Sequence, residues 1–307
     1  MGFQGNGATL RRMSLSPRPF GATGLRVSAI GLGTGRIGEA NVSDGEASRL
    51  LGAALDLGVT LIDTARSYGL AEARIGRHLA HRRDDFVLST KGGYGVEGVA
   101  DWTYDAVARG VDDALRTMRT ARIDVFHLHS CPAEVLARGE VLRALEDARK
   151  GGKIGVAAYS GENDALDAAL ASRQVGAVQC SVNLCDQRSL DAAIARAAQA
   201  GLGVIGKRPL ANAPWRFPGR PVGDYAETYW GRLRAMRVDP GSLEWPELAI
   251  RFAAHAPGVS SVIAGTANVE HLQTLVAAVG KGALPAETID ALRATFRAHD
   301  DGWTGEI

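Results

Sequence analysis

Eight short apolar stretches, alternating with amphipathic ones, limit more than anything else what this chain can fold into. The strand candidates span 27–33, 60–64, 86–91, 123–129, 153–160, 176–183, 203–208 and 260–265. Helical spacing of apolar residues follows them, as in Asp44–Leu57, Tyr104–Met118, Ala133–Lys150, Ser189–Ala200, Pro246–His255 and Val269–Val279. Asp44, beside Ser43, and the Asp186–Ser189 segment offer helix N-cap chemistry. Gly58 and Gly201 stand where a helix closes in a left-handed residue.

Strands that alternate with helices pair in parallel, and eight such units in roughly 250 residues is the count that closes a parallel barrel. A doubly wound sheet normally has fewer strands and binds its ligand at a switch point after the first. The first strand here ends G-L-G-T-G-R-I-G. That spells G-x-G-x-x-G at Gly31 and Gly33 but only nearly at the third place, and no acidic residue closes a second strand about 20 residues on. We read the glycines as allowing a ligand to approach the backbone at a barrel mouth. The expected fold is therefore α/β, a parallel (β/α)8 TIM barrel forming a single domain over 16–307. Arg18–Leu32 reads as a β-hairpin leading directly into a first strand at Val27–Leu32. Residues 1–15, with two arginines and no apolar core segment, read as a flexible leader rather than a secretion signal.

Composition narrows the function. A chain of 307 residues that is 46% hydrophobic can bury a large core. A net charge of +1 gives no electrostatic pull toward nucleic acid or acidic membranes. No apolar run approaches the roughly 20 residues that span a bilayer. Three cysteines without metal-like spacing fit a reducing compartment. The expectation is a soluble, cytoplasmic protein, monomer or small homo-oligomer, with a small-molecule partner and no metal, nucleic acid or membrane.

The chemistry gathers at strand ends. Leu61–Gly69 reads L-I-D-T-A-R-S-Y-G, so Asp63 closes one strand and Tyr68 lies in the turn beyond it. Turns are usually built from Gly, Asn, Ser and Pro. Lys91 closes the next strand and His129 the one after. In a parallel barrel all strands point their C-terminal ends to one mouth, and with neighbours about 4.8 Å apart the four groups can converge within roughly 10 Å. Taken singly, Asp63 reads as a strand-end residue capping backbone, and Lys91 as a solvated side chain, since lysine is seldom buried unpaired. Taken together, in three consecutive strand ends, they read as a site. His127 shares the parity of His129 one layer deeper and reads as a hydrogen-bonded core histidine. Cys131, without a basic neighbour in sequence, reads as unreactive, and Cys180 and Cys185 as packing residues.

A tyrosine ordinarily titrates near ~10, too high for efficient acid–base work at neutral pH. An adjacent ammonium stabilises its phenolate, and a carboxylate holds the ammonium in place. Asp63 and Lys91 would form that pair, Tyr68 would protonate a carbonyl oxygen, and His129 would hydrogen-bond the same oxygen. A proton donor with no nearby nucleophile implies that the carbon is attacked by something else, and a nicotinamide hydride is the natural candidate.

These blocks resemble the aldo-keto reductase family. The resemblance covers nearly the whole chain, from G-L-G-T at 31–34 through G-V-T-L-I-D-T-A-x-x-Y-G-x-A-E, S-T-K, I-D-V-F-H-L-H, Q-C-S-V-N-L and G-T-A-N-V-E-H-L to the terminal W-T-G-E-I. It implies that Asp63, Tyr68, Lys91 and His129 are a catalytic tetrad, with Tyr68 the general acid, and that a nicotinamide cofactor lies across the barrel mouth. It further implies cofactor contacts at Gly33, Thr34 and Asp63. Ser160 and Gln179 match positions that hold the carboxamide. Gly206, Lys207, Arg208, Pro209 and Leu210 match the pyrophosphate loop, and Gly265, Thr266 and Asn268 the adenosine-phosphate loop. Singly, Ser160 and Gln179 read as satisfied polar residues of a barrel interior. Gly265 before a helix start independently offers free backbone N–H groups to phosphate.

The chain departs from the family pattern in three places. Gly161 follows Ser160 where an Asn is common, Lys207 stands where an aromatic often stacks on the nicotinamide, and G-T-A-N-V-E-H-L lacks the basic groups that often clamp a 2′-phosphate. Arg208 would bind phosphate in their place. NADPH is the first choice of cofactor and NADH the alternative.

Ala211–Trp245 is far longer than a usual strand-to-helix loop. It carries Trp215, Phe217, Tyr225, Tyr229 and Trp230. Trp215, Phe217, Tyr229 and Trp230 are candidates for a substrate-pocket wall, against the alternative of a packed surface excursion. With little chain after the last helix, the pocket is expected to be walled mainly from one side. The expected activity is reversible NADPH-dependent reduction of an aldehyde or ketone. A Schiff-base lyase or aldolase using Lys91 and a non-catalytic cofactor-binding redox sensor are the alternatives.

Overall fold

A computed structural model describes residues 15–306. Of the expected leader, 1–14 lie outside the described residues. Leu15 does not behave as leader, since it is buried in the main core.

The strands are β1 (Arg18–Pro19), β2 (Arg26–Val27), β3 (Ile30–Gly33), β4 (Leu61–Asp63), β5 (Val87–Gly92), β6 (Ile123–His129), β7 (Ile154–Ser160), β8 (Ala177–Ser181), β9 (Gly203–Lys207) and β10 (Ser261–Gly265). β3 to β10 close an eight-stranded barrel in sequence order, with β10 returning to β3, and each pairing is parallel. β1 and β2 pair antiparallel as a separate ribbon. Val27 therefore belongs to the ribbon, and the first barrel strand starts at Ile30 rather than at 27.

Helices α1 (Asp44–Asp56), α2 (Ala71–Leu79), α3 (Tyr104–Thr117), α4 (Ala133–Arg138), α5 (Glu140–Lys150), α6 (Asn163–Ser172), α7 (Arg188–Asp191), α8 (Ala193–Gln199), α9 (Glu227–Met236), α10 (Trp245–Ala254), α11 (Val269–Gly280) and α12 (Ala286–His299) complete the chain. Ser43 begins α1 with a reciprocal cap. Its side chain accepts from the Glu46 amide at 3.2 Å, and the Glu46 carboxylate accepts from the Ser43 amide at 2.8 Å. Two expected helices are each divided. Ala133–Lys150 breaks at Gly139, whose φ is 74°. Ser189–Ala200 breaks at Ala192 into α7 and α8. No side-chain cap opens α7, because Asp186 is buried and committed to Tyr229.

Period-two alternation sorts the strand residues. Ile62, Leu88, Phe126, Leu128, Tyr159, Val178 and Val204 face the helices and form the outer core. Leu61, Val87, Val125, Val156, Ala158, Ala177 and Ile205 face inward and fill the barrel floor with Phe20 and Val27 of the ribbon. The ribbon is thus a plug. Phe20 sits so close to β9 that a Cβ on Gly203 would lie 2.5 Å from its ring. No helix among the described residues is long and apolar enough to cross a membrane.

Because Phe20 is fully buried, Phe20→Ala is expected to cost about 3–5 kcal/mol of unfolding free energy. Urea unfolding would measure it, and a loss below about 1 kcal/mol would show that the floor closes without the plug.

Candidate active site

One step up from the apolar floor, the inward positions turn polar. Asp63 is in register with Ser89, Lys91 with His127, His129 with Ser160, and Ser160 with Gln179. Asp63 is fully buried at the centre of this ring. Its Oδ1 accepts from Ser89 Oγ at 2.7 Å and Gln179 Nε2 at 3.0 Å, and its Oδ2 from Lys91 Nζ at 2.5 Å. Lys91 Nζ also donates to the Thr64 carbonyl at 2.8 Å. Ser160 Oγ donates to Gln179 Oε1 at 3.0 Å, so a continuous chain runs from Ser160 through Gln179 and Asp63 to Lys91.

A buried carboxylate persists when it is paired and hydrogen-bonded, and Asp63 is both. Burial alone would pull the Lys91 ammonium down. The negative groups around it, led by Asp63, outweigh burial and hold it above the ordinary lysine value. Lys91 Nζ lies 5.3 Å from the centre of the Tyr68 ring, on its face. His129 meets the same ring edge-on at 5.9 Å. The four residues expected from the strand ends therefore converge.

The Tyr68 loop is located by backbone contact. Gly38 lies against it so tightly that a Cβ there would sit 1.8 Å from the Tyr68 carbonyl oxygen. Gly69, at φ +52°, would in turn place a Cβ 2.5 Å from the Gly38 carbonyl oxygen, which accepts from the Leu70 amide at 2.9 Å. Arg74 of α2 is buried and fastens the segment carrying Gly38 through the carbonyls of Ile37, Glu39 and Val42.

The histidines are kept neutral. Burial first, and the Lys91 ammonium second, push His127 down to about 4 and His129 to about 3. His127 is fully buried, with Nε2 3.1 Å from Ser89 Oγ, as expected of a core histidine. Burial pushes the Cys131 and Cys185 thiols up to about 12, which leaves both unreactive, and Cys180 is raised as well.

Around the ring lie the residues expected to hold a cofactor. Gly265 is in register with Gly33 and Gly33 with Asp63. Thr34 donates to the Asp63 carbonyl at 2.9 Å. Gly206 and Lys207 end β9, followed by Arg208, Pro209 and Leu210. Asn268 caps α11, accepting from the His271 amide at 3.1 Å, and Thr266 supports the turn by accepting from the Asn268 amide at 3.0 Å. This donor set fits a nicotinamide dinucleotide. Amide-binding groups, Ser160 and Gln179, border the Asp63 centre. Cations and the N-terminus of a twelve-residue helix lie at the strand ends beyond it, where phosphate is stabilised.

Two departures gain a physical reason. A Cβ on Gly161 would fall 2.3 Å from the Tyr159 hydroxyl, which donates to the Cys131 carbonyl at 3.1 Å, so no Asn fits there. Lys207 Nζ sits 3.2 Å from Glu162 Oε1, inside the mouth, where a stacking aromatic was the family expectation. The Glu162 oxygen also accepts from the Ser181 amide at 2.7 Å and its hydroxyl at 2.8 Å.

The long connection is not a bare loop, because α9 lies within it. Tyr229 is fully buried, with its hydroxyl 3.2 Å from Asp186 Oδ2. Trp215 stacks on Trp245 at 5.5 Å, and Trp230 Nε1 donates to the Phe217 carbonyl at 3.0 Å. Trp215, Tyr229 and Trp230 are thus held in place by these contacts, and Phe217 takes part through its main-chain carbonyl. Tyr225 is exposed. The chain after α12 also does more than expected. Arg232 donates to the Thr304 carbonyl at 2.6 Å, Asn163 and Gly305 exchange hydrogen bonds at 3.1 and 2.9 Å, and Arg208 donates to the Glu306 carbonyl. The tail thus crosses the ends of β7 and β9 and walls the mouth from a second side.

Tyr94 lies outside the expected set. Its hydroxyl is 3.0 Å from His129 Nδ1, and the two rings stack at 5.7 Å and 26°. The register pairing Lys91 with His127 brings these residues together, and spacing along one strand does not reveal it.

The sequence pattern that describes the Aldo/keto reductase family matches residues 29–296. The L-galactose dehydrogenase of Arabidopsis thaliana is 26% identical over 280 residues, 85% of this chain and 87% of that protein. The uncharacterized oxidoreductase Rv2298 of Mycobacterium tuberculosis is 30% identical over 92% of this chain and 93% of its own length. Among solved structures, the holo form of aldo-keto reductase AKR11C1 from Bacillus halodurans superposes with a TM-score of 0.79, at 25% identity, covering 92% of this chain and 96% of that one.

Lys91→Met would strand the buried Asp63 charge, and a loss of about 3–5 kcal/mol is expected in urea unfolding. A loss below about 1 kcal/mol would mean the pair is not buried as described. The histidines set an acid limit. An unfolded histidine binds its proton near ~6.5. The stability contributed by neutral His127 and His129 is therefore complete above that pH and lost as pH falls through about 4 and about 3. Asp186, raised to about 7 mainly by burial, acts oppositely, and its contribution is lost as pH rises through 7. The urea midpoint is expected to fall between pH 6.5 and 4, and to fall less in His127→Gln. Equal acid sensitivity in that variant would remove His127 from the explanation.

Proposed function

The chain belongs to the aldo/keto reductase family, and from that premise we propose that it reduces a small aldehyde or ketone to its alcohol, reversibly, with Tyr68 as proton donor and NADPH as hydride donor. The observation that carries this reading is the Tyr68 ring held over an ammonium that is itself locked to a buried carboxylate.

When bound, the cofactor supplies the hydride that reaches the carbonyl carbon. The chain's own residues manage the proton and the charge. As negative charge develops on the carbonyl oxygen, the Tyr68 hydroxyl gives up its proton to that atom. Lys91, 5.3 Å from the ring centre, stabilises the charge left on the phenol oxygen. Asp63 keeps the ammonium from turning away. Neutral His129, at the edge of the same ring, hydrogen-bonds the carbonyl oxygen and orients it. Ser160 and Gln179 would hold the carboxamide. Thr266, Asn268 and Gly265 at the start of α11, with Lys207 and Arg208, would hold the phosphates. Arg208 is the group we assign to the 2′-phosphate, and it is the reason for placing NADPH before NADH.

The Schiff-base alternative needs an unprotonated Lys91, and the environment pushes that group the other way. The related L-galactose dehydrogenase is named for a sugar. Small polyhydroxylated aldehydes and ketones therefore come first among the carbonyl compounds to assay.

Fluorescence titration with NADPH and NADH, followed by a panel of aldehydes and ketones, tests the reading directly. Tyr68→Phe is expected to bind the dinucleotide as the parent protein does and to lose roughly 10²–10⁴-fold in kcat. Unchanged kcat in that variant would overturn the role of Tyr68.

A further inference from the structure

Three residues past Lys91, Tyr94 lies over the imidazole face of His129 while its hydroxyl reaches back to Nδ1 at 3.0 Å. Trp102 packs on Tyr94 at 5.3 Å between ring centres. The Tyr94 hydroxyl can also donate to the Ser67 oxygen, at 3.3 Å, or, since both hydroxyls rotate, accept from it. Tyr94 and Ser67 thus each present one proton to a line of three acceptors ending at the imidazole.

A neutral imidazole carries its proton on one nitrogen and leaves the other bare. His129 is neutral across the physiological range. Two arrangements satisfy the line. In the first, Ser67 donates to Tyr94, Tyr94 donates to Nδ1, and the imidazole proton is on Nε2. In the second, Nδ1–H donates to Tyr94, Tyr94 donates to Ser67, and Nε2 is bare. A phenol is a stronger acid than a serine hydroxyl, and an imidazole nitrogen is a stronger acceptor than a hydroxyl oxygen. The best donor and the best acceptor are thus matched in the first arrangement, across the shorter of the two distances. The first arrangement also leaves an N–H for a carbonyl oxygen, whereas a bare Nε2 would repel the oxygen's lone pairs.

We propose that Tyr94 is a positioning residue that fixes His129 as its Nε2–H tautomer and holds the ring plane, so that His129 meets the substrate oxygen as a hydrogen-bond donor. The placement of that oxygen rests on the proposed reduction, while the tautomer itself does not.

Long-range 1H–15N correlation spectra of the full chain, labelled with 15N-histidine near pH 7, read the tautomer directly, with His129→Gln assigning the signal. The expected parent spectrum has His129 in the Nε2–H form with a hydrogen-bonded Nδ1. Tyr94→Phe keeps the stack on Trp102 and is expected to lose the hydrogen-bonded Nδ1 signature and give averaged tautomers. A hydroxyl-to-imidazole bond of ordinary strength implies a roughly 3- to 10-fold lower kcat with dinucleotide affinity unchanged. Ser67→Ala is expected to leave the tautomer as it is. In the second arrangement it would free the Tyr94 proton and change the signal. An Nδ1–H parent spectrum, an unchanged His129 signal in Tyr94→Phe, or a changed one in Ser67→Ala would each overturn the proposal. The spectra need no turnover. A Tyr94-dependent tautomer in a protein that reduces no carbonyl would sustain this inference and sink the reduction, and the converse pattern would do the reverse.

Discussion

The Asp63–Lys91 ion pair is the constraint on which the rest of the site depends. Both charges are removed from water, and a pair of that kind survives only where the remaining lone pairs and protons are also satisfied. Ser89, Gln179 and the Thr64 carbonyl do that, and each comes from a different segment of the barrel or its rim. The pair therefore ties β4, β5 and β8 together from inside. It also explains why the centre can carry charge at all, since the floor beneath is apolar and closed by Phe20.

From this centre the interior grades outward in layers. Apolar side chains fill the floor, and the polar side chains of Asp63, Ser89, Lys91, His127, Ser160 and Gln179 stand above it. Along β5 and β6 the inward positions step by two, from Val87 through Ser89 to Lys91 and from Val125 through His127 to His129. Burial disfavours the charged form of every titratable one of these groups, yet adjacent groups end in opposite states. It strips protons from the histidines, while the neighbouring carboxylate keeps one on the lysine.

The barrel was legible because eight apolar stretches recur with helical spacing between them, and Asp63, Lys91 and His129 at strand ends, with Tyr68 in the turn beyond the first, were legible because parallel strands share a mouth. Other features leave no periodic trace. The division of 133–150 turns on Gly139, and a glycine within a helical pattern does not announce a break. The commitment of Asp186 to Tyr229 depends on a packing between segments 43 residues apart, so the acid read locally as a cap. Tyr94 was invisible because its partner, His129, is reached only through strand register. The tail after α12 is too short and polar to signal a wall. Its hold comes from Arg208, Arg232 and Asn163 on backbone carbonyls and from Trp303 packing on Phe296 and Arg232, contacts most of which join segments far apart in sequence.

The crossing of Gly38 and Gly69 has a consequence for how such a protein can change. The phenol is stationed by main chain against main chain, with Arg74 fastening one side of the joint from behind. Arg66 ties the other side to the loop after β5, donating to the Gly95 carbonyl at 2.9 Å and pairing with Asp113 at 3.1 Å. Leu70, exposed at the outer edge of the same turn, lends only its backbone amide to the joint. Its side chain can therefore be exchanged while the ring beside it stays in place, whereas neither glycine of the crossing can take on a side chain without moving that ring.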